Sequence, residues 1–163
     1  MNVLCTDKTG TLTRGVVNLY LALDIAGDSS SGVLLLAYLN AQLQTGLVNP
    51  LDQAIIESGT RNAIDGSKYR KLGEIPYDFV RKCLSVIVQH EQDPSALMIS
   101  KGALRNILDA CDRIQLATAV EPLLEDHYQH LLQQFTDWGE QGYRVLGVAR
   151  KSVPSAGTYT RDD

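Results

Sequence analysis

The stretch CLSVIVQHEQDPSALMIS, residues 83–100, decides the fold. Cys83–Val88 (CLSVIV) is rich in β-branched and apolar side chains, which fit the pleated surface of a strand. Glu91–Ser95 (EQDPS) brings a proline, an aspartate and a serine together, residue types that favour turns. Ala96–Ser100 then resumes the apolar texture. Working outward, Arg70–Ile75 predicts another strand ahead of Lys82–Gln89. Three strands in succession on short connections predict a mainly antiparallel sheet in an α/β or α+β domain, flanked by helices.

The flanking segments supply those helices. Gly27–Gly32 (GDSSSG) is a turn cluster whose serines can cap a helix over Val33–Gln44, with Leu34, Ala37, Tyr38 and Ala41 on one face. Asn49-Pro50 opens a second helix over Leu51–Ser58, because a first-turn proline lacks only an N–H that the helix does not need. Gly59–Lys68 is a looser connection or a further short helix. Gly102–Cys111 reads as a helix with Leu104, Ile107 and Leu108 on one face. Pro122–Trp138 reads as a longer one, with Leu124, Tyr128, Leu131, Leu132 and Phe135 at helical spacing, ended by Gly139–Gly142. Arg144–Ala149 predicts a final strand. Asn2–Thr6 and Val16–Leu23 predict two further strands near the N-terminus, and the segment from Ser152 reads as a mobile or boundary tail.

The 163 residues are 44% hydrophobic and 21% charged, the balance of a water-soluble globular domain. A net charge of −4 gives no nucleic-acid surface. The three cysteines, Cys5, Cys83 and Cys111, are odd in number and far apart, which suits a reducing compartment. The longest apolar run, Val33–Leu39, is too short to span a bilayer. The chain therefore reads as cytosolic, or as the cytosolic part of something larger.

The most chemical segment is CTDKTGTLT, residues 5–13. An apolar strand delivers Asp7 to its C-terminal end, where a carboxylate can attack phosphorus and form an aspartyl phosphate. Lys8 neutralises charge on the transferred group. Gly10 and the threonine N–H groups can form an anion-binding concavity.

The heptamer DKTGTLT resembles the phosphorylation motif of P-type ATPases, and four further segments resemble signatures of that family in its order. The resemblance implies that Asp7 is the phosphorylated residue, that Lys8 and Thr9 contact the γ-phosphate, and that Asp7 and Thr9 hold Mg²⁺ in the full-length protein. Asn49-Pro50-Leu51-Asp52 resembles the helix start whose acidic residue accepts from the adenine amino group; Asp52 takes that place, one methylene shorter. Pro76-Tyr77-Asp78-Phe79 with Lys82 resembles the segment whose aromatic ring stacks on adenine, and Tyr77 offers an equivalent face. Lys101-Gly102-Ala103 resembles the segment whose lysine lies deep in the adenine pocket, with Gly102 allowing close backbone approach. Gly142-Tyr143-Arg144-Val145-Leu146 resembles the segment whose arginine reaches toward the phosphates. The stretch Leu39–Leu47, with Asn49–Asp52 and Glu74–Phe79, is most similar to bacterial magnesium-transporting members.

Taken singly, each residue has an ordinary explanation. Tyr77 can be a core aromatic, Lys82 and Arg144 solvated charges, Asp52 a helix-dipole partner, and Lys101 a strand end. Their joint appearance in family order favours the resemblance. It implies the nucleotide-binding domain fold of these pumps, with ATP and Mg²⁺ as ligands. Residues 1–14 are then the first strand and motif of the phosphorylation domain, 15–151 the nucleotide-binding domain, and 152–163 a boundary segment. The implied partners are the remaining phosphorylation, actuator and membrane domains of a pump in the plasma (inner) membrane, and the chain itself is expected to be monomeric. A G-D-G-x-N-D segment, a T-G-E-S loop and membrane spans do not occur in these residues, so the chain reads as an excised segment that binds ATP weakly without turnover. Two rivals remain at this point: a phosphatase of the haloacid dehalogenase type, which needs an aspartate where Thr9 stands, and a non-catalytic interaction domain. His127 and His130, the thiol of Cys5, and the acidic group Glu121, Glu125 and Asp126 read as solvated, buried or helix-start residues rather than as sites.

Overall fold

A computed structural model describes residues 17–46, 49–116 and 119–160. The strand expected over Asn2–Thr6 and the motif residues Asp7, Lys8 and Thr9 lie outside the described residues. The elements in chain order are α1 (Ser31–Leu43), α2 (Pro50–Arg61), β1 (Tyr69–Asp78), β2 (Cys83–His90), β3 (Ala96–Ala103), α3 (Leu104–Asp109), β4 (Arg113–Leu116), β5 (Ala119–Pro122), α4 (Glu125–Glu140) and β6 (Leu146–Val153). The main sheet runs β1-β2-β3-β6, and every pair in it is antiparallel. The β4–β5 hairpin forms a separate two-stranded sheet. No helix among the described residues is long and apolar enough to cross a membrane.

Val86, Ile87 and Val88 of β2 and Ile99 of β3 are fully buried, because these are the two central strands. Alternation splits them between faces. Leu84, Val86, Val88 and Ile99 pack under Leu39 of α1. Ile87, Ala96, Met98 and Val153 form the core of the opposite face, where Tyr159 packs against them. Each fully buried side chain of this size contributes roughly 1.5–3 kcal/mol. A wholly buried polar group joins the layers: Asn40 of α1 donates through Nδ2 to the carbonyls of Leu84 (3.2 Å) and Ile99 (2.8 Å), tying α1 to β2 and β3.

The first two of the expected helix starts are capped by the residues that the sequence offers. Ser30 Oγ accepts from Val33 N–H at the head of α1, and Asn49 caps α2 with Pro50 in its first turn. Leu34, Ala37, Tyr38 and Ala41 are buried on α1 as the spacing requires.

Several expectations need correction. Residues 17–22 form no strand, and Leu23 makes only an isolated bridge to Ser29. Leu19 instead packs against Ala37, Ala41 and Ile55 without a ladder, while Val17, Tyr20 and Leu21 are exposed. Gly102 and Ala103 belong to β3, not to a helix, because they pair with Gly147 and Leu146 of β6. The helix that follows is therefore only Leu104–Asp109. Pro122 lies in β5 opposite Arg113, and α4 starts at Glu125. Of its apolar residues only Leu131 is buried, and Leu124 precedes the helix and is exposed. Gly139 lies inside α4, and Gly142, at φ +87°, follows its end. Arg144 precedes β6 rather than starting it, and β6 runs on to Val153. The segment from Ser152 is thus not simply a tail: Tyr159 lies over Gly73, and its hydroxyl donates to the Pro154 carbonyl at 2.8 Å.

The contact between α1 and α2 is close enough to require a glycine. A Cβ on Gly59 would stand 2.2 Å from Tyr38 Cδ2. Alanine at this position gains roughly 1 kcal/mol of helix propensity but loses about 1–3 kcal/mol to the clash. Gly59→Ala is expected to lower the urea midpoint in the native background. In a Tyr38→Leu background, which removes the ring, the same change is expected to be neutral or stabilising.

Candidate functional site

Antiparallel register gathers most of the candidate residues at one end of the main sheet. Asp78, Cys83, Gly102 and Gly147 are successive partners across β1, β2, β3 and β6. Tyr77 lies at the C-terminal end of β1, Lys82 just before β2, Lys101 and Gly102 near the end of β3, and Arg144 just before β6. Residues that are 67 positions apart in sequence, Tyr77 and Arg144, thereby come to the same edge of the fold.

Asp52 reaches this end from the helix layer. It stands in the first turn of α2, only 3% exposed, and its Oδ1 accepts from Lys101 Nζ. Lys101 is itself 8% exposed, so this is a buried ion pair joining sheet to helix. Oδ2 of Asp52 accepts from Asn49 Nδ2 at 2.6 Å and from Gln44 Nε2 at 2.5 Å. Asn49 Oδ1 in turn accepts from Asp52 N–H at 2.9 Å, a reciprocal cap. Burial pushes the Lys101 ammonium below the ordinary lysine range, and the hydrogen bond and charge of Asp52 oppose that push.

Next to this pair, Thr45 anchors the end of α1 to β1. Its N–H and Oγ1 both donate to Glu74 Oε2, at 3.0 and 2.9 Å, and Lys71 Nζ reaches the same oxygen at 2.6 Å. Burial raises the Glu74 carboxyl, but the bonds from Lys71 and Thr45 together outweigh it and hold the group below its ordinary range.

The aromatic side chain stands apart from this polar cluster. Tyr77 is 47% exposed and is therefore not a core aromatic; its ring meets Phe79 edge-on, with centroids 5.2 Å apart. Phe79 and Val80 are more exposed still, at the tip of the β1–β2 turn. The turn is held by Asp78 Oδ1, which accepts from Val80 N–H (2.7 Å) and Arg81 N–H (3.1 Å). Lys82 occupies the left-handed region at φ 52°, which costs a non-glycine residue about 1 kcal/mol. Its carbonyl accepts from Ala103 N–H at 3.0 Å.

That carbonyl also explains Gly102. A Cβ there would stand 2.3 Å from Lys82 O and 2.6 Å from Cys83 Cβ. The close backbone approach expected at Gly102 is made by the chain's own β1–β2 turn. Burial raises the neighbouring Cys83 thiol, which makes it a poor nucleophile at neutral pH. Arg144 is exposed, and the preceding Tyr143 stacks on Tyr20 with centroids 5.3 Å apart.

The site is thus partly as expected and partly new. Asp52 and Lys101 are in direct contact, whereas Tyr77, Lys82 and Arg144 share only the end of the sheet. Gln44 and Asn49 were read as sequence context, yet both bind the Asp52 carboxylate. An Asn just before a first-turn proline and acid is a capping signal that could have placed Asn49; nothing local marks Gln44. Asp7, Lys8 and Thr9 lie outside the described residues, and among the described residues no group of three or more His, Cys, Asp or Glu could hold a metal ion.

Residues 33–163 match the family model described as P-type ATPase, cytoplasmic domain N. The chain is 40% identical over 167 aligned positions to the magnesium-transporting ATPase, P-type 1, of Escherichia coli (strain K12), covering 100% of this chain and 18% of that protein. It is 38% identical over 159 positions to a protein of the same name from Salmonella typhimurium, covering 96% of this chain and 18% of that one. It is 28% identical over 156 positions to the plasma membrane ATPase 1 of Saccharomyces cerevisiae, covering 93% and 16%. The chain therefore spans at most 18% of the length of these relatives.

Two expectations about stability follow from the polar cluster. Removing one member of a buried ion pair strands the other and costs about 3–5 kcal/mol. Asp52→Ala and Lys101→Ala are each expected to destabilise the fold by about 3 kcal/mol in urea unfolding. Asp52→Leu with Lys101→Met is expected to recover most of that loss, whereas losses that simply add would show that the two groups are uncoupled. Glu74, with its carboxyl held low in the fold, stabilises above the ordinary carboxylate range near pH ~4.3. That contribution is lost as pH falls through its depressed value. The stability gap between the native chain and Glu74→Gln is therefore expected at pH 7 and should close on acidification below the ordinary carboxylate range.

Proposed function

Because the chain belongs to the family of P-type ATPase cytoplasmic N domains, we propose that it is the ATP-binding domain of a cation pump, with Mg²⁺ as the transported ion. The resemblance to the two magnesium-transporting relatives supports the choice of ion. The observation that carries the nucleotide reading is the buried Lys101–Asp52 pair at the sheet end to which Tyr77, Lys82 and Arg144 also come. A buried lysine is expensive to keep without a task, and sites for charged ligands are where such groups gather.

The residues present suit ATP. Tyr77 offers an exposed ring face for the base. Lys82 and Arg144 stand at the open end, where they offer ammonium and guanidinium donors to the phosphates. Lys101, paired with Asp52, supplies an ammonium group at the floor. In the whole pump, Asp7 attacks the γ-phosphorus, the bond to the bridging oxygen breaks, and ADP leaves with its electron pair. Lys8 and Thr9 contact the transferred group, and Mg²⁺, held through Asp7 and Thr9, offsets its charge. This domain presents the nucleotide and sits on the cytoplasmic side of a plasma (inner) membrane protein, with the phosphorylation, actuator and membrane domains as its partners. Alone it binds ATP weakly, as a monomer and without turnover, because it holds mainly the nucleoside end.

Titration with ATP, followed by two-dimensional NMR, is expected to shift the signals of Tyr77, Lys82 and Lys101 with a dissociation constant on the order of 1 mM. Tyr77→Ala is expected to weaken binding about tenfold, consistent with the roughly 1–3 kcal/mol of base stacking on an aromatic ring. An unchanged spectrum at several times that concentration would sink the nucleotide reading.

A further inference from the structure

The arrangement around Asp52 limits what a bound base can touch. Its carboxylate accepts from Lys101, Gln44 and Asn49, and it is 3% exposed. Oδ2 carries two donors and is full, since an ionised carboxylate oxygen offers about two lone-pair sites. Oδ1 faces the buried lysine. An exocyclic amino group arriving from solvent therefore finds no open acceptor on Oδ2 and is left with the groups bound to that oxygen.

Those groups are Asn49 and Gln44. Asn49 spends both ends of its amide on the cap, donating to Asp52 Oδ2 and accepting from Asp52 N–H. Gln44 spends one end only. Its Nε2 donates to Asp52, while Oε1 takes no donor among the described residues and lies 3.5 Å from where a Cβ on Gly46 would stand. Gln44 directly follows the last residue of α1 and precedes Thr45, which is bound to Glu74, three residues ahead of Tyr77 on β1. The free amide oxygen thus sits on the connection that is anchored to the strand carrying the aromatic ring.

We propose that Gln44, and not Asp52, reads the 6-amino group of a bound purine, with Asp52 acting as the positioning residue that fixes the orientation of the Gln44 amide. The inference rests on the nucleotide-binding reading above. An amide can offer adenine an acceptor for the amino hydrogen and a donor for the adjacent ring nitrogen, a pairing that glutamine makes with adenine elsewhere. A 6-oxo purine needs the amide turned over. Turning it would aim Oε1 at the Asp52 carboxylate, acceptor against acceptor, so the flip is blocked. Discrimination then arises from an unpaired polar group in the wrong complex.

The test compares ATP with ITP, its 6-oxo analogue, on the chain as it stands, by NMR titration. The native chain is expected to bind ATP about five- to tenfold more tightly than ITP, in the range of one lost hydrogen bond. Gln44→Ala is expected to bring the ratio to near one with ITP affinity changed less than twofold. Gln44→Met, of similar volume, gives the same result if alanine at this half-buried position loosens the fold. A preference for ATP that survives in the folded Gln44 variants overturns the proposal and returns the role to Asp52. A native chain that binds neither nucleotide overturns the nucleotide reading itself, and this inference with it. A native chain that binds both equally overturns this inference alone.

Discussion

The Lys101–Asp52 ion pair is the constraint on which the rest of this fold depends. Two charges are removed from water, one on a central strand and one on the first turn of a helix. Their desolvation is offset only if each finds partners in good geometry. Asp52 meets that condition with three side-chain donors from three different places: β3, the end of α1 and the residue before α2. The helix layer therefore has one productive position over the sheet. Asn40, bonded to Leu84 and Ile99, fixes the same layer one turn earlier on α1. Hydrophobic contact alone would leave the helices freer to slide, because area burial carries no direction.

Sheet topology gathers the candidate residues around that constraint. In an antiparallel order β1-β2-β3-β6, the ends of β1 and β3 lie beside the beginnings of β2 and β6. Residues near strand ends that are remote in sequence thus share one edge. One of the two described non-glycine residues at positive φ lies there too, the other being Ala63 after α2. Lys82 holds a left-handed conformation, and its carbonyl occupies the space beside Gly102 that a side chain would need.

Legibility in the sequence followed the strength of local signals. Cys83–Val88 read as a strand because its β-branched composition and its burial agree. Ser30 and Asn49-Pro50 marked their helices because capping is chemistry within three residues. Val16–Leu23 misled because the same apolar composition can serve a helix-facing coil, as Leu19 does. The β4–β5 hairpin went unread, since only Ile114 is buried in its described residues and no alternation stands out. Gly102 and Ala103 looked like the opening of a helix, and pairing with Gly147 and Leu146 overrode that local preference. For the site, Asp52 and Lys101 were singled out by resemblance, but their direct contact was not legible, because 49 residues separate them.

The sequence by itself determined the class of fold, the family and the residue types available for nucleotide chemistry. Those properties reside in composition, short-range periodicity and ordered motifs, all of which act over a few residues. Only the tertiary structure decided which groups are spent and which are left. It spends the Asp52 carboxylate on Lys101, Gln44 and Asn49, and it leaves the Gln44 amide oxygen without a donor among the described residues. It exposes Tyr77 and buries Lys101. The physical reason is that hydrogen-bond capacity and desolvation depend on neighbours brought together by long-range pairing, and no local stretch of chain carries that information.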